Sequence, residues 1–447
     1  MTRRTLQNYL GVNTHSGNAN NRFATTAVKK NKLPQPEKKT VYNSLKNFFQ
    51  NNIIAWFIHD WRVKKPYNYP TQITARSVHT VADEQTGKPV TIAIAADWGS
   101  DTPQSEFIGM KISEKDPDYT IHLGDTYYSG VESELNANYG TGGDDEGIWP
   151  RGSKGAFILA GNHEMFSSGC DFYKMIQDEQ RRFGIKDQVS GVYMGQEAAC
   201  FCLLTPWWCI LGLDTGYNSL KTGILHLSPN NTGLQLPDAL IKWLTEEVKP
   251  SAQHKGLIIL SHHQYMSAFN GEDEFPNPAK QLQTIFPDRE VLWICGHEHR
   301  FTMYGRYRKS NDHITAFVRC IGNGGMPDEH TKKRFRIDSK AKDYNLVLYD
   351  SRVADSLPLF IGPGRDIGYN GYALLNLNKD AAMFSYYASY GDGTDSKAVD
   401  QKVVEERWRA DTSSGSIIFE GAVDLLNGSK EGLKYFKTQG DVNDVGR

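Results

Sequence analysis

The fold of this 447-residue chain is decided by the stretch VTIAIAADWGS, residues 90–100. Its first seven residues are apolar or β-branched, which is typical of a strand that is buried on both faces. An acidic residue, Asp97, follows at the point where this strand should end. The same pattern of an apolar run closed by a polar residue recurs in TIHLGDTYYSG (120–130), FILAGNHEM (157–165), LIILSHHQ (257–264) and LWICGHEHR (292–300).

The segments between these runs predict an α/β fold. Residues 236–248, LPDALIKWLTEEV, have the apolar spacing of a helix. Buried strands that alternate with helices indicate sheets that are covered by other elements on both faces. After Gly296 the pattern becomes strand-rich, and no Ser/Gly-rich linker divides the chain. We therefore predict one large catalytic body rather than several domains.

Polar side chains that can bind metal follow five of the predicted strands. Taken alone, each has an ordinary explanation, because an Asp at a strand end often caps a helix and a single His is usually structural. Together they predict a site, because the carboxyl ends of strands in an α/β sheet are where binding loops gather. The residues are Asp97, Asp125, Asn162, His262, His297 and His299.

These donors suit a pair of metal ions. Asp125 could bridge two cations, with Asn162 and His262 completing one of them and the GHEH pair dividing between both. The loop of Asp97 offers no nearby His, and Tyr128, three residues after Asp125, is the compensating candidate. A phenolate is a hard anionic ligand, so we predict Fe(III) at that position and a divalent ion at the other.

The ordered set DWG, GDxxY, GNHE, a His after an apolar strand, and GHEH resembles the calcineurin-like metallophosphoesterases, and within them the purple acid phosphatases. The resemblance spans roughly residues 90–375 and implies an αββα sandwich. It implies Fe(III) at Asp97, Asp125, Tyr128 and His299, and divalent Fe, Zn or Mn at Asp125, Asn162, His262 and His297. Where that family tends to carry a substrate-contacting His, this chain has the acidic stretch NGEDEF, residues 270–275.

The expected activity is hydrolysis of a phosphate monoester by attack of a metal-bound hydroxide. His163 directly follows the predicted ligand Asn162, so it can reach the substrate without binding metal. His263, next to His262, is the second catalytic candidate, with a supporting role for the metal site as the alternative. A phosphodiesterase that acts on nucleotide or lipid diesters through the same metals is the competing function.

The charge of the chain is divided unevenly along its length. Residues 1–80 carry thirteen Lys/Arg against Glu37 and Asp60, a net charge of +11, which leaves −13 on the remaining 367 residues. We divide the chain into a basic arm (1–80), a catalytic domain (81–425) and a C-terminal tail (426–447). Within the arm, residues 41–61 predict one amphipathic helix.

The basic arm raises a function of another class, namely binding of nucleic acid or of a membrane surface. We favour an arm that folds back on the acidic body, a small phosphate ester as the partner, and no nucleic acid. We see no export signal and no apolar run long enough to span a bilayer, and the six cysteines lack zinc-like spacing. A cytoplasmic protein is the resulting expectation, and the oligomeric state is left open.

Overall fold

The computed structural model shows two large β-sheets with helices outside them, which confirms the predicted α/β sandwich. The structure describes residues 67–82, 88–100, 102–140, 149–178, 183–220, 233–270, 272–326, 328–330, 344–357, 365–391, 398–425 and 433–435. The amphipathic helix predicted at 41–61 lies outside these residues.

The strands follow the apolar runs of the sequence closely. In chain order the strands are β1 (Val78–Thr80), β2 (Val90–Ala95), β3 (Tyr119–His122), β4 (Gly155–Ile158), β5 (Gly184–Ile185), β6 (Phe201–Leu204), β7 (Trp208–Leu213), β8 (Gly256–Ser261), β9 (Glu290–Cys295), β10 (Phe301–Tyr307), β11 (Thr315–Ile321), β12 (Glu329–His330), β13 (Leu346–Asp350), β14 (Asp355–Leu357), β15 (Arg365–Ile367), β16 (Asn370–Asn378), β17 (Ala381–Tyr390), β18 (Val399–Asp411), β19 (Ser416–Asp424) and β20 (Leu433–Tyr435). The five apolar runs that end in polar residues form β2, β3, β4, β8 and β9, because burial on both faces selects β-branched and aliphatic side chains.

The helices are short and lie between the strands. Residues 236–248, predicted as one helix, form an α-helix that continues into a π-helical turn, Leu244–Val248. The α-helices are α1 (Pro103–Glu114), α2 (Glu132–Tyr139), α3 (Asn162–Met165), α4 (Cys170–Gln177), α5 (Asp238–Trp243), α6 (Lys249–Ala252) and α7 (Asn277–Ile285), and a 3₁₀ turn covers Ala75–Ser77. Among the described residues, no helix combines the length and the apolar character that a bilayer span requires.

Two mixed sheets organise the described part of the chain. The first has the order β1-β6-β7-β8-β9-β11-β10-β13-β20, and the second has the order β19-β18-β17-β16-β2-β3-β4-β5. A small sheet of β12, β15 and β14 stands apart from both. Within the large sheets, β2, β3 and β4 run parallel to one another, as do β7, β8, β9 and β11. Each sheet therefore gathers several carboxyl-terminal strand ends at one edge.

The layers follow from the alternation of side chains along the strands. In β2, Ile92 and Ile94 point into the core between the sheets, whereas Ala93 and Ala95 face the helical layer of α1 and α4. On the outer face of the first sheet, β8 and β9 pack against α5 and α7. The order of layers is therefore helix, sheet, sheet, helix.

The segment boundaries that we drew from charge and composition fall inside packed structure. Residues 67–80, placed in the basic arm, contact the body through a Tyr67 ring stacked 4.2 Å from Tyr173, and β1 pairs with β6. In the predicted C-terminal tail, β20 pairs with β13. The described residues 67–80 and β20 therefore both contact the body.

A buried ion pair joins the two sheets. The Arg319 guanidinium of β11 donates to the Glu406 carboxylate of β18, with Nη2 to Oε2 at 2.7 Å, and the Tyr386 hydroxyl donates to Glu406 at 2.6 Å. Arg319 and Glu406 are 2% and 0% exposed, respectively. Because charges are costly inside a protein unless they are paired, each partner depends on the other.

We expect Glu406→Gln to lower the free energy of unfolding by about 3–5 kcal/mol, because it leaves the Arg319 charge buried without its counter-ion. Urea unfolding measures this loss. The matched control is Glu420→Gln, which breaks the solvent-exposed pair with Arg409 and should cost only about 0–1 kcal/mol. Equal losses in the two variants would contradict a structural role for the buried pair.

Candidate metal centre

The two large sheets bring their strand ends to one place. Asp97, Asp125 and Asn162 follow β2, β3 and β4 of one sheet, and the histidines of the LSHHQ and GHEHR segments follow β8 and β9 of the other. A hydrogen bond crosses between the sheets here, because the backbone N–H of His297 donates to Oδ2 of Asp97 at 2.9 Å. The site is thus built on the joint between the sheets.

Three residues of the site hold a left-handed backbone. The φ angles are 57° at Asp97, 69° at Asp125 and 70° at His297. Non-glycine residues adopt this conformation at a cost, so it persists only where the surroundings impose it, and such positions gather at functional sites. Here the turns direct each side chain to the same pocket immediately after its strand.

One half of the cluster combines two carboxylates, a phenol and an imidazole. The Tyr127 hydroxyl lies 2.8 Å from Oδ1 of Asp97, 3.3 Å from Oδ2 of Asp125 and 2.8 Å from Nε2 of His299. Nε2 of His299 lies 3.4 Å from Oδ1 of Asp97. These four side chains therefore present their donor atoms to a common point.

The other half uses an amide and two imidazoles around the same Asp125. Nε2 of His262 lies 3.3 Å from Oδ2 of Asp125, 3.2 Å from Oδ1 of Asn162 and 3.3 Å from Nδ1 of His297. Asp125 is the element that both halves share. The structure thus brings together six of the seven predicted metal ligands, all except Tyr128.

The tyrosine assignment is corrected by the structure. The hydroxyl that enters the cluster belongs to Tyr127, whereas the ring of Tyr128 stacks beside Phe166, 6.4 Å away, and meets the edge of His163 at 4.9 Å. Glu134 fixes the backbone of this turn by accepting the N–H groups of Tyr128 and Ser129. Neighbouring side chains leave such a turn in different directions, and the residue spacing alone does not say which one faces the cluster.

The donor atoms fit metal ions. One ligand atom from each of Asp97, Asp125 and His262 lies within 4.8 Å of the others, and all three residues are buried. Carboxylate, phenol and imidazole are the donors that iron, zinc and manganese accept. Two buried carboxylates this close also require positive charge between them. The residues present therefore fit a pair of cations.

The pKa shifts in the pocket also indicate that the carboxylates favour nearby positive charge. Burial opposes ionisation of Asp125, but the adjacent His262 and His163 imidazoles hold the pKa of its carboxyl well below the usual range. For His262, burial opposes protonation, but Asp125 outweighs it and raises the pKa of the imidazole to about 9. A proton on His262 thus partly supplies the positive charge that the carboxylates demand.

His163 faces this cluster without belonging to the ligand set. Its Nδ1 donates to the Tyr128 carbonyl at 2.7 Å, since a carbonyl can only accept, so Nε2 is the atom directed at Asp125, 3.7 Å from its Oδ2. Its side chain remains 13% exposed. The predicted catalytic histidine is therefore held in one orientation with a path to solvent.

His263, predicted either as a second catalytic residue or as support for the metal site, is buried. It is 2% exposed, its ring lies 4.6 Å from Phe275 and 4.7 Å from His297, and Nδ1 lies 3.1 Å from the Thr215 hydroxyl. His262, His263 and His297 offer nitrogen atoms within 4.8 Å of one another. His263 therefore packs against His297, one of the imidazoles of the second half.

Glu164 holds together the two turns that carry Asp125 and Asn162. Its buried carboxylate accepts the backbone N–H groups of Gly161, Asp125 and Thr126 at 2.7, 3.2 and 2.6 Å. It thereby joins the loop after β3 to the loop after β4. The GNHE segment gave a signal for this residue, whereas neither Glu134 nor Thr215 stands in a motif that would have singled it out.

Comparison with known proteins agrees with this geometry. The family model for calcineurin-like phosphoesterases matches residues 90–301, the segment that carries every residue of the cluster. This family match marks the domain as that of a metal-dependent phosphoric ester hydrolase. No curated protein sequence matches the chain.

Solved structures with a similar fold are distant in sequence. GAP50, the anchor in the inner membrane complex of Plasmodium, is 11% identical with a TM-score of 0.41, covering 70% of this chain and 88% of its own. PhoD is 12% identical with a TM-score of 0.43, covering 78% and 74%. The purple acid phosphatase PPD1 of yellow lupin (Lupinus luteus) seeds is 13% identical with a TM-score of 0.38, covering 70% and 53%.

Gly161 tests the close approach of the two loops. A methyl group there would lie 2.8 Å from Cγ of Asp125 and closer still to its Oδ1. We therefore expect Gly161→Ala to displace the shared carboxylate and to abolish binding of two metals, measured by elemental analysis of the folded protein. The control Gly191→Ala adds its methyl where only the Lys186 side chain lies within 4 Å, although the φ of 74° strains an alanine there. It should retain both metals, and loss of metal in both variants would contradict this explanation.

Proposed function

Because residues 90–301 form a calcineurin-like phosphoesterase domain, we propose that the protein hydrolyses phosphate monoesters at a pair of metal ions. The observation that carries the proposal is the position of Asp125. Its Oδ2 lies 3.3 Å from both the Tyr127 hydroxyl and Nε2 of His262. One carboxylate is thus poised to bridge two donor sets, the arrangement that a two-metal phosphatase needs.

We assign Fe(III) to the half that contains the phenol, as in a purple acid phosphatase. Its ligands would be Asp97, Asp125, Tyr127 and His299, with Tyr127 taking the place predicted for Tyr128. Divalent Fe, Zn or Mn would bind Asp125, Asn162, His262 and His297. When bound, such metals act as Lewis acids on phosphoryl oxygens and lower the pKa of water.

The protein's own residues orient the substrate. His163 presents Nε2 toward the pocket because Tyr128 fixes its Nδ1–H. Protonated on both ring nitrogens, it would donate its Nε2–H to the phosphoryl group or to the leaving oxygen. In the second role it would give up the Nε2 proton and become the neutral ring, with Nδ1–H still held by Tyr128. His263, enclosed by Phe275 and Thr215, is assigned to support of the metal ligands rather than to contact with substrate.

Substrate comparison decides between the monoesterase and its competitor. We expect kcat/KM for p-nitrophenyl phosphate to exceed that for bis(p-nitrophenyl) phosphate by about tenfold or more. The two esters release the same phenol, so the ratio reports the number of ester bonds on phosphorus. Faster turnover of the diester would establish the phosphodiesterase function instead.

The role of His163 predicts a dependence on the leaving group. We expect His163→Asn to retain both metals and to lower kcat by about 10²–10⁴-fold for an alkyl phosphate, whose leaving oxygen needs a proton. The loss should be much smaller for p-nitrophenyl phosphate, whose leaving group is stable as an anion. An equal loss on both substrates would instead favour a hydrogen bond to the phosphoryl group.

Colour tests the iron assignment and the corrected tyrosine together. A tyrosinate bound to Fe(III) absorbs visible light, so we expect a coloured protein that Tyr127→Phe bleaches. Tyr128→Phe is the matched control and should keep the absorption band. A colourless wild-type protein after reconstitution with iron, or bleaching only by Tyr128→Phe, would contradict the assignment.

A further inference from the structure

A buried arginine follows the last predicted metal ligand. Arg300 is 1% exposed, and its Nη2 lies 2.5 Å from Oε1 of Glu272. Its Nε lies 3.7 Å from Oε2 of Glu298, and its guanidinium covers the Phe269 ring at 4.1 Å. Arg300 therefore ties the GHEHR segment to the loop that follows β8.

That loop contacts the second half of the metal centre at its other end. The Phe275 backbone N–H donates to the Gln264 carbonyl, and the Gln264 amide donates to the Asp273 carbonyl at 2.8 Å. The Phe275 ring, 1% exposed, lies 4.6 Å from His263 and 5.6 Å from His297. The loop thus holds an aromatic ring against the imidazoles.

From these contacts we propose that Arg300 is a positioning residue for the divalent metal half, acting through Glu272 and the Phe275 ring on His297. The proposal deepens the proposed function and rests on it. It concerns the order of the ligands rather than the chemistry, because the Arg300 guanidinium contacts Glu272, Glu298 and Phe269, none of which belongs to a donor set.

The cost of desolvation supports a role for the pair beyond stability. The Arg300 side chain is 1% exposed and that of Glu272 is 17% exposed, and such a pair gives weak evidence for stability because desolvation of the charges offsets much of their attraction. Groups that orient metal ligands, by contrast, commonly alter metal affinity by about 10–100-fold when removed. Glu298, which stands between His297 and His299, also contacts Arg300, so Arg300 is connected to both halves and Glu272→Gln is the variant that isolates the divalent half.

A second ion pair on the same loop provides the matched control. Nζ of Lys309 lies 2.7 Å from Oε2 of Glu274, one residue before Phe275, and the side chains are 33% and 24% exposed. It fastens the same loop at the surface. If the metal centre only needs the loop to be attached, loss of either ion pair should weaken metal binding. If Arg300 positions the ligands, only loss of its own pair should weaken metal binding.

The experiment loads full-length, metal-free protein with one equivalent of iron and then titrates Zn²⁺ into it, with a chelating dye as competitor. We compare wild type, Glu272→Gln, Arg300→Lys, Arg300→Met and Lys309→Gln, and record a melting curve for each. Glu272→Gln should weaken Zn²⁺ binding by about 10–100-fold and leave the iron content unchanged. Arg300→Lys should recover part of the zinc affinity that Arg300→Met loses, and Lys309→Gln should match wild type.

Several results would overturn the proposal. These are an equal loss of iron and zinc, a fall in melting temperature without a change in zinc affinity, or the same effect in Lys309→Gln. If Arg300→Met does not fold, Glu272→Gln still decides the question, because it keeps the arginine. Wild-type protein that holds no iron, or that binds no Zn²⁺ beside the iron, would instead contradict the proposed function itself.

Discussion

Asp97 and Asp125 place two carboxylates in one buried pocket. The other groups of the site compensate for the negative charge that these carboxylates bring together. Like charges this close repel strongly where water is excluded, so the pocket requires cations. Backbone N–H groups of His297 and His163 donate to the two carboxylates, and His262 faces Asp125 as a partial counter-charge. Bound metal ions would supply the remaining positive charge.

The packing of the two sheets holds the metal-binding side chains in place. Ligands come from the ends of β2, β3 and β4 in one sheet and of β8 and β9 in the other. Their distances therefore depend on how the sheets sit against each other, which the interdigitated core and the Arg319–Glu406 pair maintain. Asp97, Asp125 and His297 adopt left-handed backbone conformations that direct their side chains into the pocket between the sheets. These conformations are unfavourable for residues other than glycine.

Much of this architecture was predictable from the sequence, because buried strands and polar strand ends leave a strong pattern. The strands 90–95 and 119–122 and their aspartates illustrate it. Tyr127 was missed because spacing does not encode the direction of a side chain in a turn. Thr215 and Glu134 stand in no recognisable motif, and the sequence does not show that Arg300 is buried.

The arrangement around the two carboxylates makes Asp125 the ligand that two metal ions would share. Anomalous diffraction from crystals of the protein reconstituted with iron and zinc, collected at both absorption edges, tests this assignment. We predict an iron peak among Asp97, Asp125, Tyr127 and His299 and a zinc peak among Asp125, Asn162, His262 and His297. A single peak, or two peaks that do not share Asp125, would rule out Asp125 as the common ligand.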